Sequence, residues 1–448
     1  MNKRIYGLFT AVTMITGIVI GSGIFFKSDD ILSYTGGNIL LGIIVFFVAA
    51  VAIVFGCLAI SQLATRTDKP GGLIAYAQEF VSMGISSAFG WFQTFLYLPT
   101  LAAVVSWVIG IFTCQLFGIN ASLEIQIFIG IVSLTLLFVI NILSARLGGH
   151  VQNASMIIKL IPLIIIAVAG LIFGNPQEFI AQDINNFGEA TTSFGWLAAF
   201  APIAFSFDGW IVSTSICHEI KNSKRNLPLA LTVSPFIILL AYAAYFVGIV
   251  SMVGPETILE QKDSSVFLVS EMIFGRIGAK ILLIFVIISV IGTVNGIVLG
   301  FIRMPYSLAL RNMIPGSKIL AKEHKNLGGM PLNSALFAYV LSIGWMLVHY
   351  LSQKLGMRGD VSEIAIGISY LNYILLYYAV IRLARKGSIQ SIFKGYIIPI
   401  LAMGGSLVII SGSITHPLFV YYAGICFIIM LAGVLYYEKN KDKIDLPR

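Results

Sequence analysis

Residues 18–25 read Ile-Val-Ile-Gly-Ser-Gly-Ile-Phe and lie inside the first long apolar segment of the chain. Gly21, Ser22 and Gly23 disfavour a continuous helix, because glycine costs about 1 kcal/mol relative to alanine and serine can divert its hydroxyl to the backbone. In a bilayer a broken helix survives only where it lines a cavity or binds a ligand. The alternative is close helix packing, since small residues let two helices approach. The stretch alone leaves both interpretations open.

The composition of the 448 residues excludes a soluble globular protein. Hydrophobic residues make up 58% of the chain and charged residues 11%, whereas about 25% charged is usual in soluble domains. Apolar segments of spanning length are predicted at residues 6–33, 38–63, 87–117, 125–144, 150–174, 193–217, 229–253, 278–308, 333–353, 361–384, 396–413 and 417–437. We therefore predict an all-α membrane protein with 12 transmembrane helices, and expect residues 65–84 and 255–279 to run along the membrane faces.

The distribution of lysine and arginine predicts the orientation. Most of the 28 fall in the termini or in loops on the side of the N-terminus, and Lys159 lies within a segment. The opposite side carries Lys27, Lys262, Arg276, Lys280, Lys354 and Arg358. Because positive residues concentrate in cytoplasmic loops, both termini are predicted to be cytoplasmic in a multi-pass protein of the cell inner (plasma) membrane. Topology also explains the net charge of +8 without a nucleic-acid partner.

A second interruption is predicted in the sixth segment. Pro202 removes a backbone donor, Gly209 loosens the chain, and Asp208 places a carboxylate among apolar residues. Interruptions in segments one and six indicate an inverted repeat of five plus five helices, and such paired breaks point to a transporter's substrate site. The predicted units are residues 1–174, the inverted residues 193–386, and two further helices over residues 396–437, all within a single integral membrane unit.

Several stretches together resemble the L-amino acid transporter branch of the amino acid–polyamine–organocation superfamily. They are Gly21-Ser22-Gly23-Ile24-Phe25, residues 205–210, residues 218–230 with Ser223 in place of the usual proline, Pro70-Gly71-Gly72 with Ala75-Tyr76, and residues 292–296 with Arg303 and Arg311. The resemblance covers helices one to ten. It implies a leucine-transporter-type fold with discontinuous helices 1 and 6.

A broken helix can bind an amino-acid zwitterion with its backbone. Free amides at the start of the second half-helix form an anion site, so the substrate carboxylate is expected at Ser22, Gly23 and Ile24 beside Gly21. Free carbonyls at the end of the first half suit the substrate ammonium. We expect those of Val19 and Ile20, together with the region of Phe205, Ser206 and Phe207. The resemblance implies the same assignment, with the Phe205 ring as a lid; otherwise Phe205 is an ordinary core aromatic.

Lys159 is predicted to be functional, because an ionisable residue within a membrane segment is costly unless it serves a site. A structural ion pair or a lysine that reaches the interface is the alternative. The resemblance implies that Lys159 occupies the place where sodium-coupled relatives hold sodium, and that Tyr242 is a nearby hydrogen-bond partner. It also directs Thr293 toward the substrate, whereas a helix hydroxyl otherwise bonds its own backbone. Asp208 could narrow the side-chain pocket, bond a hydroxylated substrate or carry a proton, and these alternatives stay open.

These observations predict a sodium-independent transporter, an obligatory exchanger of small or medium neutral L-amino acids by alternating access. The alternative is a proton-coupled symporter or a polyamine antiporter, with Asp208, Glu219 or Lys159 as the proton site; a channel would need a continuous polar lining. The histidines and cysteines have no metal-ligand spacing, and a nucleotide-binding lysine motif is missing. Neither an enzyme nor a metal or cofactor is expected. Residues 118–124 contain no cysteine for a heavy-chain subunit, so a prokaryotic chain acting alone is predicted.

Overall fold

The computed structural model describes residues 7–21, 23–67, 72–119, 122–143, 158–211, 220–324, 327, 329–357, 360–416 and 418–443. Its helices are α1 (Leu8–Val19), α2 (Gly23–Tyr34), α3 (Ile39–Ala64), α4 (Leu73–Phe80), α5 (Met83–Phe92), α6 (Leu98–Phe117), α7 (Leu123–Leu143), α8 (Leu160–Phe173), α9 (Pro176–Thr192), α10 (Phe200–Ser206), α11 (Ser223–Val253), α12 (Pro255–Gln261), α13 (Ser265–Leu310), α14 (Ser317–Leu320), α15 (Leu332–Lys354), α16 (Val361–Arg385), α17 (Ile398–Ile414) and α18 (Phe419–Asn440). The predicted all-α class is confirmed.

The described residues include 9 helices that are long and apolar enough to cross a membrane, and α8 and the segment that ends with α10 are shorter apolar helices. Large side chains such as Leu240, Ile172 and Leu435 point outward on these helices and are mostly exposed. Contiguous apolar surface of this kind belongs in lipid. The molecule is therefore a multi-pass membrane protein. The count of 12 spans and the inverted repeat stay predictions.

The first apolar segment is broken where its sequence predicts. Helix α1 ends at Val19 and α2 begins at Gly23, with Ile20 in an extended conformation between them. The predicted ligand residue Ser22 lies outside the described residues. The chain therefore breaks here instead of continuing as one closely packed helix.

The sixth segment, predicted over residues 193–217, departs from a continuous helix within its described residues 193–211. A 3₁₀ helix at Phe194–Ala199 leads into α10, which ends at Ser206, and residues 207–209 form a turn. Gly209 has φ +97°, a conformation that side chains rarely tolerate. Pro202 lies inside α10 and does not end it. The helix ends after Ser206, and Gly209 allows the turn that follows. Residues 212–219, with Glu219, lie outside the described part of the chain.

Close helix crossings position the broken helix. A Cβ on Gly170 of α8 would lie 2.2 Å from the Cα of Gly248 on α11, so the two backbones touch. Small residues at such crossings let membrane helices pack by van der Waals contact. Helix α11 also packs along α1, and α10 packs against α2. Together these contacts bring α1, α2, α8 and α10 around one point.

The connections between the predicted spans are partly helical. Residues 176–192 form helix α9, which the span assignment left as a connection, and Asp183 of this helix accepts hydrogen bonds from the first two amides of α3. Residues 255–279, expected along a membrane face, form α12 and the first part of α13. Gly275 kinks α13 with φ +67°. Residues 93–97 form a π-helix between α5 and α6, and such bulges occur often at functional sites.

Candidate substrate site

The broken ends of the two interrupted helices meet at Tyr242 of α11. Its hydroxyl lies 2.9 Å from the carbonyl oxygen of Ser206 and 3.3 Å from that of Val19. Both carbonyls belong to the last turn of a helix and have no partner within it. A phenol hydroxyl has one proton to donate, so the two carbonyls share it. Tyr242 thus orients the two groups that the sequence assigns to a substrate ammonium.

The glycines of the first break are required by close contacts. A Cβ on Gly23 would lie 2.5 Å from the Cα of Ser206, and one on Gly21 would lie 2.4 Å from the hydroxyl of Thr293. The amide end of α2 therefore rests directly against the carbonyl end of α10. Ile20 and Ile24, two of the predicted ligands, are buried beside this contact.

Lys159 lies at the start of α8 and is 1% exposed. Its ammonium donates to the carbonyl oxygen of Gly17 at 3.1 Å and to the hydroxyl of Thr293 at 3.3 Å. The Gly17 carbonyl is one of those that the end of α1 leaves without a helical partner. Lys159 therefore ties α8 to both α1 and α13 next to the break. The hydroxyl of Thr293 also donates to the carbonyl of Ser289, the helix bond that sequence reasoning gave as its alternative.

Asp208 lies beyond the end of α10 and faces aromatic hydroxyls. The hydroxyl of Tyr97, in the π-helix, donates to its carboxylate at 2.6 Å. The hydroxyls of Tyr370 and Tyr373 on α16 are buried close to this charge. A polar wall of one carboxylate and three phenols therefore stands beside the second break.

Two aromatic side chains, Phe205 and Phe207, lie at the end of α10 beside the second break. The Phe207 ring packs edge-on against Tyr242, with ring centroids 5.3 Å apart, and also against Phe46. The Phe205 ring is buried and lies 5.4 Å from the ammonium of Lys27. The predicted lid residue is thus next to a buried cation that the charge count had assigned to the outer side.

Sequence reasoning missed two sets of contacts. It did not identify Tyr97, whose only signal is a tyrosine in an apolar segment. It also missed the burial of Lys27 and its contacts with Asp360 and Glu363 of α16. Charges inside predicted spans were the available signal, because ionisable residues in membrane helices mark functional positions. Lys27 and Glu363 are 336 positions apart in the sequence, so no local spacing indicates that they pair.

Comparisons with known proteins identify the family of the chain. The profile of the amino acid permease family matches residues 6–437, so the chain belongs to that family. The serine/threonine exchanger SteT of Bacillus subtilis is 28% identical over 98% of both chains. The b(0,+)-type amino acid transporter 1 of Mus musculus is 24% identical over 96% of this chain and 86% of its own. Asc-type amino acid transporter 1 of Homo sapiens is 26% identical over 96% and 81%.

These likenesses confirm the resemblance to the L-amino acid transporter branch of the superfamily. The protein is a membrane transporter of the amino acid permease family and not an enzyme. Two broken helices that share one hydroxyl, with a buried ammonium beside them, form its candidate substrate site.

Proposed function

We propose that the protein is a sodium-independent exchanger of small or medium neutral L-amino acids. The observation that carries this proposal is the ammonium of Lys159, buried against the Gly17 carbonyl and the Thr293 hydroxyl. Carbonyl and hydroxyl oxygens are ligands for hard cations. With a fixed ammonium on them, a sodium ion at this place would meet a like charge in a medium of low dielectric constant.

The backbone of the two breaks would hold the zwitterion. The substrate carboxylate would accept from the amides at the start of α2, with Gly23 and Ile24 in the described part and Ser22 beyond it. The substrate ammonium would lie against the carbonyls of Val19 and Ser206, whose orientation Tyr242 sets. A helix N-terminus favours an anion and a C-terminus a cation, so neither charge of the substrate requires a charged side chain.

The side-chain pocket would lie against the polar wall around Asp208. Its hydroxyls and carboxylate suit a small polar side chain better than a large apolar one, because buried donors and acceptors that lose water need new partners. The serine/threonine exchanger among the relatives is compatible with this choice. In the proposed mechanism, substrate separates the contact between Gly23 and Ser206 and allows α1 and α2 to move against the rest.

The remaining expectations belong to the same proposal. The chain works alone in the plasma membrane, with both termini in the cytoplasm, and its inverted halves are residues 1–174 and 193–386. The bacterial relative SteT aligns over 98% of both chains, which is consistent with a unit of the same size.

Proteoliposomes test the transport mode. Vesicles that contain the purified protein are loaded with unlabelled serine, and uptake of labelled serine is measured in sodium and in choline buffer. We expect equal uptake in the two buffers and little uptake into empty vesicles. Uptake into empty vesicles driven by a pH gradient would instead establish the proton-coupled alternative, and a sodium requirement would refute the assignment of Lys159.

A variant tests the residue directly. Lys159→Ala removes two hydrogen bonds from a charged donor, each worth about 1.5–3 kcal/mol, so exchange should fall at least about tenfold. Lys441→Ala is the control, because Lys441 is exposed and pairs with Glu438 on the surface. Wild-type exchange in Lys159→Ala would show that this ammonium has no part in the cycle.

A further inference from the structure

A second buried lysine binds several carboxylates. The ammonium of Lys27, on α2, lies 2.5 Å from Glu363, 2.8 Å from Asp360 and 3.2 Å from Asp30. The side chains of Lys27, Asp360 and Glu363 are 1%, 2% and 3% exposed, whereas Asp30 is 38% exposed. This buried triad joins the half-helix after the first break to the start of α16.

The charges of the triad do not balance. One ammonium and two ionised carboxylates leave a net charge of −1 that is removed from water, and Asp30 at the edge adds a further negative charge. An uncompensated buried charge is expensive, and groups in this position change protonation instead. Two carboxylates that share one counter-charge hold a proton between them more readily than either alone. A proton on one carboxylate brings Lys27, Asp360 and Glu363 to a net charge of zero, with Asp30 still charged at the edge.

The two carboxylates differ in the hydrogen bonds that they accept. Asp360 caps α16 and accepts hydrogen bonds from the amide of Ser362 at 2.8 Å and from its hydroxyl at 2.5 Å. Lys27 contacts the other oxygen of Asp360. Hydrogen bonds to the charged form stabilise it, so Asp360 is the better ionised partner. Glu363 is left as the residue that takes the proton.

We propose that Glu363 is a proton-binding site of this transporter, occupied while Lys27 and Asp360 hold α2 against α16. The proton comes from water on the side of Asp30, whose side chain is 38% exposed, and it forms one O–H bond on the Glu363 carboxylate. When α2 leaves α16, the carboxylate becomes hydrated and the proton returns to water. The occupant of this site is a proton, and the site is distinct from Lys159 and Asp208.

Other titratable groups face the triad. Helix α2 also carries Asp29, and α15 brings His349, whose ring nitrogens have no partner among the described residues and whose ring lies 4.6 Å from that of Trp107. Helix α18 contributes Tyr422. Together with His416, Tyr422 also lines a cavity of about 10 Å³ beside Asp360, room for about one water molecule.

Two other groups provide competing explanations. A proton on His349 would neutralise the triad in place of one on Glu363. Arg358 stands two positions before Asp360 in the sequence and lies outside the described residues, so its charge is the other alternative. Variants of both belong in the test.

The first test measures the thermal stability of the purified wild type and of Glu363→Gln from about pH 5.5 to about pH 9. Glutamine keeps the size and the neutral state of a protonated glutamate. If the folded protein holds this proton and the unfolded one does not, the wild-type folding equilibrium falls by up to about tenfold per pH unit as pH rises. Glu363→Gln should match the wild type at low pH and exceed it at high pH.

Glu124→Gln provides the matched control. Glu124 is 54% exposed and pairs with Lys354 at 3.4 Å, so this variant should keep the wild-type pH dependence. His349→Gln and Arg358→Gln should also keep it. If Glu363→Gln is less stable than wild type by the same margin at every pH, or does not fold, Glu363 is an ionised partner and the proposal is overturned. Loss of the pH dependence in His349→Gln or Arg358→Gln alone would also overturn it.

The second test links the site to transport and rests on the proposed function. Serine exchange in proteoliposomes is measured at several external pH values for wild type and Glu363→Gln. We expect the rate to change with external pH in the wild type and to be insensitive in the variant. Exchange with identical pH profiles in both would refute the link. A wild type that exchanges no amino acid would refute the proposed function, while the stability measurements would still decide the proton site.

Discussion

Tyr242→Phe is the sharpest test of how the two broken helices are held. The change removes a hydroxyl oxygen and leaves the ring, which packs against Phe207 and Phe46, in place. The lost hydroxyl bonds the Ser206 carbonyl at 2.9 Å and shares its proton with the Val19 carbonyl at 3.3 Å. A net hydrogen bond contributes about 1 kcal/mol, and a buried acceptor left without a donor adds to the cost. Together these two contributions predict a loss of about 1–2 kcal/mol in interaction free energy at the two carbonyls.

That loss corresponds to a roughly 5- to 30-fold weaker substrate affinity if the two carbonyls bind the substrate ammonium. Half-saturation of serine exchange in proteoliposomes measures it. Tyr245→Phe is the matched control, since its hydroxyl lies on the same helix, is equally buried and has no hydrogen-bond partner among the described residues. If both variants leave half-saturation unchanged, or both raise it alike, Tyr242 does not orient the site.

Three further changes probe the glycine contacts of the first break and the start of α3. Each is judged by serine exchange or thermal stability. Gly23→Ala places a Cβ 2.5 Å from a backbone atom of α10, so overpacking of about 1–3 kcal/mol should reduce exchange, whereas Gly300→Ala meets nothing within 4 Å and should not. Gly21→Ala contacts the Thr293 hydroxyl at 2.4 Å, and Thr293→Ala in the same chain should restore part of its lost stability. Asp183→Ala removes the carboxylate that accepts from the first two amides of α3 and should lower stability by about 0.5–2 kcal/mol, with Asp183→Asn less affected.

The fold class and the place of the first break could be predicted because both are local properties. Spanning length and low charge identify membrane helices, and Gly21 and Gly23 disfavour a helix wherever they occur. The contacts around Gly23 explain why these positions need glycine, but no pattern in the sequence names Ser206 or Thr293 as the neighbours. Such neighbours depend on how helices cross.

The polar contacts were less predictable for the same reason. Lys159 stood out because a charge within a span needs a partner, yet its partners are a backbone carbonyl and a hydroxyl, which leave no mark in sequence. Lys27 has the same chemistry and lies near the end of a segment, where a lysine usually reaches water. The charge count therefore placed it on the outer side, although it is buried against α16.

Each half of the broken helix is held by one buried lysine. Lys159 binds the carbonyl end of α1, and Lys27, which belongs to α2, binds Asp360 and Glu363 of α16. The break between them removes the backbone hydrogen bonds that would force the halves to move together. Release of either lysine therefore removes a polar contact of its own half and leaves the lysine contact of the other half in place. Because Lys27 is held by carboxylates and Lys159 by neutral oxygens, protonation of Glu363 changes the charge around Lys27 alone. The two sides of the transporter would then differ in their response to pH.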